Sequence, residues 1–361
     1  MKILFVAKRH YTNKDLVDDR FGRLFHLPMS LTQAGHEVCV VALDYKTFKH
    51  ERLNIDGLDL ISLPSRSRGL TLPDSELTEF PVAISPDLVV GSGHIHIART
   101  ALKHAQRTGA KFILEAYDYY PAFLPALLQG MGKRCFNSIC RKADACVSAS
   151  DRLGKLMAHF NDRVQVVENG FDPDVFRKRD RTESLARLEL DENRQYVCFI
   201  GSASAALGYD DFVAALKDVR KSNPNVIGLH AGVFNTGSVT SEDVIHLGLC
   251  SQDRVVDVLT GSSCGVVPYR ESLQVAYSNS CKLVEYMATG LPVVATRSGD
   301  NERVLGEGGG KLVDSSSPTQ LGQAIVAQLE DPITPPYPVH WKWSNLGDSL
   351  ERFLLDIRNS A

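Results

Sequence analysis

The feature that most constrains this chain is a rhythm that starts, stops and starts again. Short apolar runs alternate with helix-length segments. The first set reads KILFVA (2–7), EVCVVAL (37–43), LDLISL (58–63), DLVVGS (87–92), KFILEA (111–116), ACVSAS (145–150) and VQVVEN (164–169). A second set follows: YVCFIG (196–201), VIGLHAG (226–232), VIHLGL (244–249), CGVVPY (264–269), PVVAT (292–296) and GKLVD (310–314). Strands this apolar are buried on both faces, and strands that alternate with helices form parallel sheets covered by helices. The polar stretch ENGFDPDVFRKRDRTESLARLELDENRQ separates the sets and opens on an Asn-Gly turn. A length of 361 residues suits two such domains. The expected class is therefore α/β, with two doubly wound Rossmann-like domains over 1–170 and 171–340, then a terminal amphipathic segment at 341–361. Ligands of such sheets bind beyond the carboxyl ends of the strands.

Several function classes drop out. The first strand runs into AKRHYTNKD, without the GxGxxG of a dinucleotide site, and no Walker sequence is present. No apolar run has the length of about 18 residues that spans a bilayer, and KILFVAKRHY reads as a strand rather than a leader. The eight cysteines show no CxxC spacing, so zinc is not expected. Cys39, Cys146 and Cys198 read as small buried hydrophobes, and reduced thiols point to a cytoplasmic protein. Residues 1–170 carry a net charge of +4 and residues 171–361 a net charge of −7, so the first half suits an anionic partner.

One segment carries most of the functional signal. In SNSCKLVEYMATGLPVVAT, Lys282 and Glu285 lie three apart at the start of an expected helix that Gly290 and Pro292 end. The free amides of a helix start and an adjacent lysine favour phosphate. A carboxylate one turn deeper suits the vicinal hydroxyls of a ribose. A solvated Lys–Glu pair is the plain alternative.

KLVEYMATGLPVVAT resembles the donor-site signature of GT-B glycosyltransferases, in particular glycosyltransferase family 4. GHEVCVVALDY, RKADACVSASDRL, VVENGFDPDVF, FIGSASAALGYDDFVAAL and CGVVPY resemble other family stretches in the same order. The resemblance implies a GT-B fold, with two domains facing across a cleft and the C-terminal helix returning to the first. It implies a nucleotide-sugar co-substrate, a UDP-sugar first, with no other cofactor and no metal for transfer. Lys282, Glu285, Leu283, Asn279, Tyr277, Gly201 and Arg270 would meet the donor. In EAYDYYP, Asp118 would face the reacting sugar, as a base or a sugar-orienting group; a helix cap is its plain reading. By their place, and apart from the resemblance, His94 and His96 after the fourth strand could meet donor or acceptor, with a helix cap or surface residue as their plain reading, and Arg20 in the long first loop could meet the acceptor. The expected acceptor is a saccharide or a lipid-linked group in polysaccharide or glycoconjugate synthesis, with no nucleic acid involved.

Two departures from the family stand out. Leu207 precedes Gly208 where family members carry Lys-Gly, with no arginine nearby. Tyr277 stands where many carry a glutamate. A nucleotide-sugar 2-epimerase and a non-catalytic partner protein of the same fold stay open beside the transferase. The first loop offers Lys8, Arg9, His10, Lys14, Arg20 and Arg23 to an anionic acceptor. Residues 121–142 mix apolar and basic side chains, as either an interfacial helix on a membrane or a core helix with a basic end. DPD at 172–174 has the form of a metal motif, but Asp172 more simply stabilises the Asn-Gly turn.

Overall fold

The computed structural model describes residues 1–11, 14–65, 81–234, 237, 239–306 and 308–360. It divides into one unit formed by Met1–Gly170 with Trp343–Ala361, and a second formed by Phe171–Lys342.

The strands of the first unit are β1 (Lys2–Lys8), β2 (His10–Tyr11), β3 (Lys14–Asp15), β4 (Glu37–Asp44), β5 (Glu51–Ile55), β6 (Leu58–Pro64), β7 (Leu88–Ser92), β8 (Lys111–Ala116), β9 (Ala145–Ser148) and β10 (Val164–Val166). Its helices are α1 (Arg23–Gln33), α2 (Pro81–Ile84), α3 (Ile95–Thr108), α4 (Ala126–Lys142) and α5 (Asp151–Ala158). Among the described residues its main sheet runs β10-β9-β8-β7-β1-β4-β6-β5. From β1 the chain winds one way to β4 and β6, then returns to β7, β8, β9 and β10 on the other side. The carboxyl ends of β1 and β7 therefore flank the topological switch point, where the loops diverge and leave a crevice.

The second unit holds α6 (Arg181–Arg187), β11 (Gln195–Ile200), α7 (Tyr209–Ser222), β12 (Val226–Ala231), β13 (Val244–His246), α8 (Gln252–Gly261), β14 (Cys264–Val267), α9 (Leu273–Ala276), α10 (Cys281–Ala288), β15 (Val293–Thr296), α11 (Asn301–Leu305), β16 (Lys311–Val313) and α12 (Pro318–Glu330). Its sheet order, β13-β12-β11-β14-β15-β16, puts the switch point between β11 and β14. Alternate residues of β11 feed opposite cores. Tyr196 and Cys198 join the cluster under α8 and α10, while Val197 and Phe199 join that under α7 and α12. The last helix, α13 (Trp343–Asn359), packs on α1 in the first unit, and the Trp343 ring stacks on His26 at 5.4 Å.

The doubly wound reading holds in both units, with one exception. β5 pairs antiparallel to β6, closing a hairpin whose register joins Ile55 to Leu58. Its two loop residues, Asp56 and Gly57, have φ of 48° and 92°. Asp-Gly is the sequence signature of such a turn. The strand itself, ERLNI, is polar because it is the sheet edge, and hydrophobic runs do not reveal it.

Candidate functional site

In the second unit the residues expected to meet the donor gather at the β11/β14 switch point. β11 ends at Ile200, and Gly201 then takes φ 125°. A Cβ there would lie 2.7 Å from Cε of Lys282, so the Lys282 side chain lies directly across the glycine. The Lys282 ammonium donates to the Tyr269 hydroxyl at 3.2 Å, and that hydroxyl also meets Ser280 Oγ at 3.3 Å. The Tyr269 oxygen holds the ammonium above the ordinary lysine range, against burial, and Glu285 adds to the effect. Ser280 is the N-cap of α10, but its hydroxyl is turned to Tyr269 and makes no side-chain cap bond.

The other donor-side candidates divide by role. Glu285 and Asn279 are buried at 6% exposure each, and Glu285 acts electrostatically on this cation. Tyr277 closes α9 and is half-buried. Leu283 belongs to the hydrophobic core, so its side chain is not offered to a ligand. Arg270 departs from expectation as a diphosphate cation. Asp211 in the first turn of α7 binds its guanidinium twice, at 2.7 and 2.8 Å, so the charge is already balanced. The sequence gave no hint of this pair, because 59 residues separate the partners.

The loop from β11 to α7 needs its second glycine for space. Gly208, the N-cap of α7, has φ 72°, and a Cβ on it would lie 1.7 Å from the Pro268 carbonyl oxygen. Gly208→Ala is expected to cost at least about 2 kcal/mol, because both the backbone and the neighbouring chain must move. A thermal melt at fixed pH checks this, and an unchanged Tm would show that the loop is free to shift.

In the first unit the other set gathers at the β1/β7 switch point. Lys8 ends β1, His94 and His96 begin α3, and Tyr117 and Asp118 follow β8. The Lys8 ammonium donates to His94 Nε2 at 3.3 Å and sits 5.9 Å from the centre of the Tyr117 ring. The His94 and His96 rings stack at 5.6 Å, and His94 meets Tyr120 at 4.8 Å. Burial, then Lys8 and His96, push His94 down to about 3; burial and Lys8 push His96 down to about 4. Both imidazoles are therefore neutral hydrogen-bonding groups at neutral pH. Burial raises the Asp118 carboxyl to about 6 while Lys8 and Arg23 pull it down, and burial lowers Lys8. A carboxyl poised near neutrality beside an amine fits proton transfer. The capping reading of Asp118 fails on geometry: the N-cap of the short turn Tyr120–Phe123 is Tyr119, with no side-chain cap bond.

Most of the basic first loop is spent internally. Arg9 is fully buried, bound to Asp15 at 2.9 Å, Glu51 at 2.8 Å and Ser62 at 3.1 Å. His10 faces Asp44 at 3.2 Å. Arg23 is buried against Glu115 at 2.8 Å and Asn169 at 3.0 Å. These three are not offered to an acceptor, whereas Arg20 is exposed, at φ 47°. Asp172 accepts from the Asp174 amide at 2.9 Å, a turn of its own that follows the Asn-Gly pair rather than a bond to that pair. Among the described residues no group of three or more His, Cys, Asp or Glu could hold a metal ion.

Sequence reasoning missed Tyr269 and the pairing of Lys8 with His94. Both residues sit at or just past the carboxyl end of a strand beside a switch point, which was the available signal.

The chain is 30% identical over 180 residues to a D-inositol 3-phosphate glycosyltransferase of Segniliparus rotundus, covering 47% of this chain and 40% of the relative. A Nocardioides relative of the same description is 27% identical over 224 residues, covering 54% and 47%. The chain thus spans about half the length of the curated relatives it matches. In fold it resembles Anabaena HepE in complex with UDP and glucose, with a TM-score of 0.75, 13% identity and coverage of 98% and 99%. It also resembles sucrose-phosphate synthase of Thermosynechococcus elongatus, with a TM-score of 0.72, 15% identity and coverage of 99% and 94%. Residues 24–175 match the Glycosyltransferase Family 4 model and residues 194–331 the model of Glycosyl transferases group 1, so the chain resembles glycosyltransferases of these families in both of its units.

Proposed function

We propose that the chain transfers a hexosyl group from a UDP-sugar to a hydroxyl acceptor. The observation that carries this reading is the Lys282 ammonium lying across Gly201 at the β11/β14 switch point, where a diphosphate has both a cation and close backbone approach. Glu285, one turn deeper, takes the ribose hydroxyls. The Leu207 substitution and the Arg270–Asp211 pair leave Lys282 and the helix-start amides as the phosphate binders. Asp118 orients or deprotonates the reacting hydroxyl, with His94 and His96 as neutral sugar contacts. The nucleotide half rests partly on neighbours described as complexes with UDP and UDP-glucose. The relatives' description puts a phosphorylated cyclitol among acceptors to test, beside saccharides and lipid-linked groups. Melting the protein with UDP, GDP, dTDP and UMP tests the donor: UDP should raise Tm most, by mass action. Equal melting with every nucleotide at millimolar concentration and with none removes the donor site. Transfer assays over the three acceptor classes then separate a transferase from an epimerase or a non-catalytic protein.

A lipid-linked acceptor has a surface to arrive on. The outward face of α4 exposes Leu127 at 98%, Met131 at 59% and Leu128 at 43%, next to Phe123 at 48%. The helix carries Lys133, Arg134, Arg141 and Lys142 and no acidic residue, while Phe136 and Ile139 anchor its inner face. Exposed apolar side chains beside unopposed basic ones fit an anionic bilayer. No helix among the described residues is long and apolar enough to cross a membrane. The chain should sediment with vesicles rich in anionic phospholipid and not with purely zwitterionic ones. Leu127→Glu with Met131→Glu should abolish that binding at unchanged Tm. Unaltered sedimentation of the double variant would discard this face, and a monomer-forming effect in sedimentation velocity would assign it to a second copy instead.

A further inference from the structure

A second set of side chains lies behind the Gly201 turn. His230 on β12 is fully buried, and His246 ends the neighbouring strand β13 as its register partner. His230 Nε2 lies 2.8 Å from the Gly201 carbonyl oxygen. A carbonyl only accepts, so Nε2 carries the proton. Neutral His230 then has a bare Nδ1, which faces His246 Nδ1 at 3.1 Å. His246 must donate there, leaving its own Nε2 bare toward the Tyr209 hydroxyl at 3.5 Å. One carbonyl thus dictates the tautomers of two rings, and a second proton on His230 would set two N–H groups against each other. Burial lowers His230 below the ordinary histidine range, the Gly201 bond opposes this and His246 adds to it. The rings are also held by packing: His230 meets Tyr209 at 5.2 Å and Phe199 at 5.8 Å.

We infer that His230 is a positioning residue for the nucleotide site: with Nε2–H donated to the Gly201 carbonyl and its bare Nδ1 backed by His246, it fixes the turn across which Lys282 lies. This rests on the donor reading of that turn. Gly201 has a left-handed φ, and its amide is tied to the Ala231 carbonyl at 2.8 Å. The His230 bond clamps the other side of the same residue. A partner behind a binding group sets its orientation even though it never touches the ligand. The outer ring, His246, is exposed and lines an open cleft of about 680 Å³ with Phe234, Thr240, Ser241 and Glu242, so the chain of bonds runs from the surface to the turn.

Two measurements test this. Long-range nitrogen–proton NMR of the imidazoles in the wild-type protein at pH 7 should show His230 protonated on Nε2 and His246 on Nδ1. A His230 protonated on Nδ1, or on both nitrogens, overturns the relay. In titrations, His230→Phe should keep the ring packing and weaken UDP by roughly tenfold, with uridine nearly unaffected. His230→Gln, whose amide can reach the carbonyl, should recover most of the loss. Wild-type UDP affinity in a folded His230→Phe variant overturns the positioning role. If that variant does not fold, His246→Ala supplies the readout: weaker UDP binding supports the role, and unchanged UDP binding overturns it. Absence of UDP binding in the wild type would instead remove the donor reading and with it the positioning role, while the NMR result still decides the tautomer chain.

Discussion

Lys282→Ala should weaken UDP by about tenfold to a hundredfold and leave uridine almost untouched. A hydrogen bond to a charged group is worth about 1.5–3 kcal/mol, and uridine has no phosphate to lose it. The ammonium is held in place by Tyr269 and lies across Gly201, and among the described residues the nearby Arg270 is already paired with Asp211. Glu285→Gln should act differently and weaken UDP and uridine alike, because both keep the ribose. Isothermal titration of the two variants against the two ligands checks the pattern. A surface ion pair would give small, similar stability losses and no change in nucleotide affinity. If Lys282→Ala binds UDP as tightly as the parent chain, α10 is a packed helix and the donor site lies elsewhere.

The second large effect is expected on turnover. Asp118→Asn keeps the shape of the side chain and removes its charge. A positioned base contributes about a hundredfold to ten-thousandfold, so transfer should fall by at least the lower figure while UDP binding persists. For the parent chain, transfer should rise with pH through about 6, the value to which burial brings this carboxyl. Stability should move the other way. The folded carboxyl titrates above an ordinary aspartate, so between pH about 4 and about 6 the folded state binds more protons than the unfolded chain. Its stabilising effect is complete below that window and is lost as pH rises through it. Asp118→Asn should therefore be the more stable protein at pH 7, with the advantage vanishing below pH about 4. Denaturant melts at the two pH values measure this. Near-normal transfer in the variant would mean that the proton goes to another group.

A variant that is more stable and less active would mark Asp118 as a group held at a cost for chemistry. The same holds for the crowd around it. Lys8, His94 and His96 sit half-buried; burial lowers the charge each carries, and Lys8 adds to that effect on both histidines. Packing alone does not call for three such groups within one crevice.

The sequence by itself determined the two parallel sheets, their separation near residue 170 and the helix that carries Lys282 and Glu285. Each of these follows from local pattern. Strands buried on both faces must be apolar throughout, and α10 is written in KLVEYMATG by its apolar spacing and its glycine end. The edge hairpin was not among them, because its strand ERLNI is polar and no apolar run marks it. What only the tertiary structure decided is which polar groups meet. Arg9 and Arg23 read as free cations, yet both are buried among partners that include Glu51 and Glu115, 42 and 92 residues away. Arg270 pairs with Asp211 in the same way, 59 residues away, and Tyr269 accepts from Lys282. Strand order is the physical reason. It places the ends of β1 and β7, and of β11 and β14, side by side, and nothing in the local spacing of a residue records which distant strand end will become its neighbour.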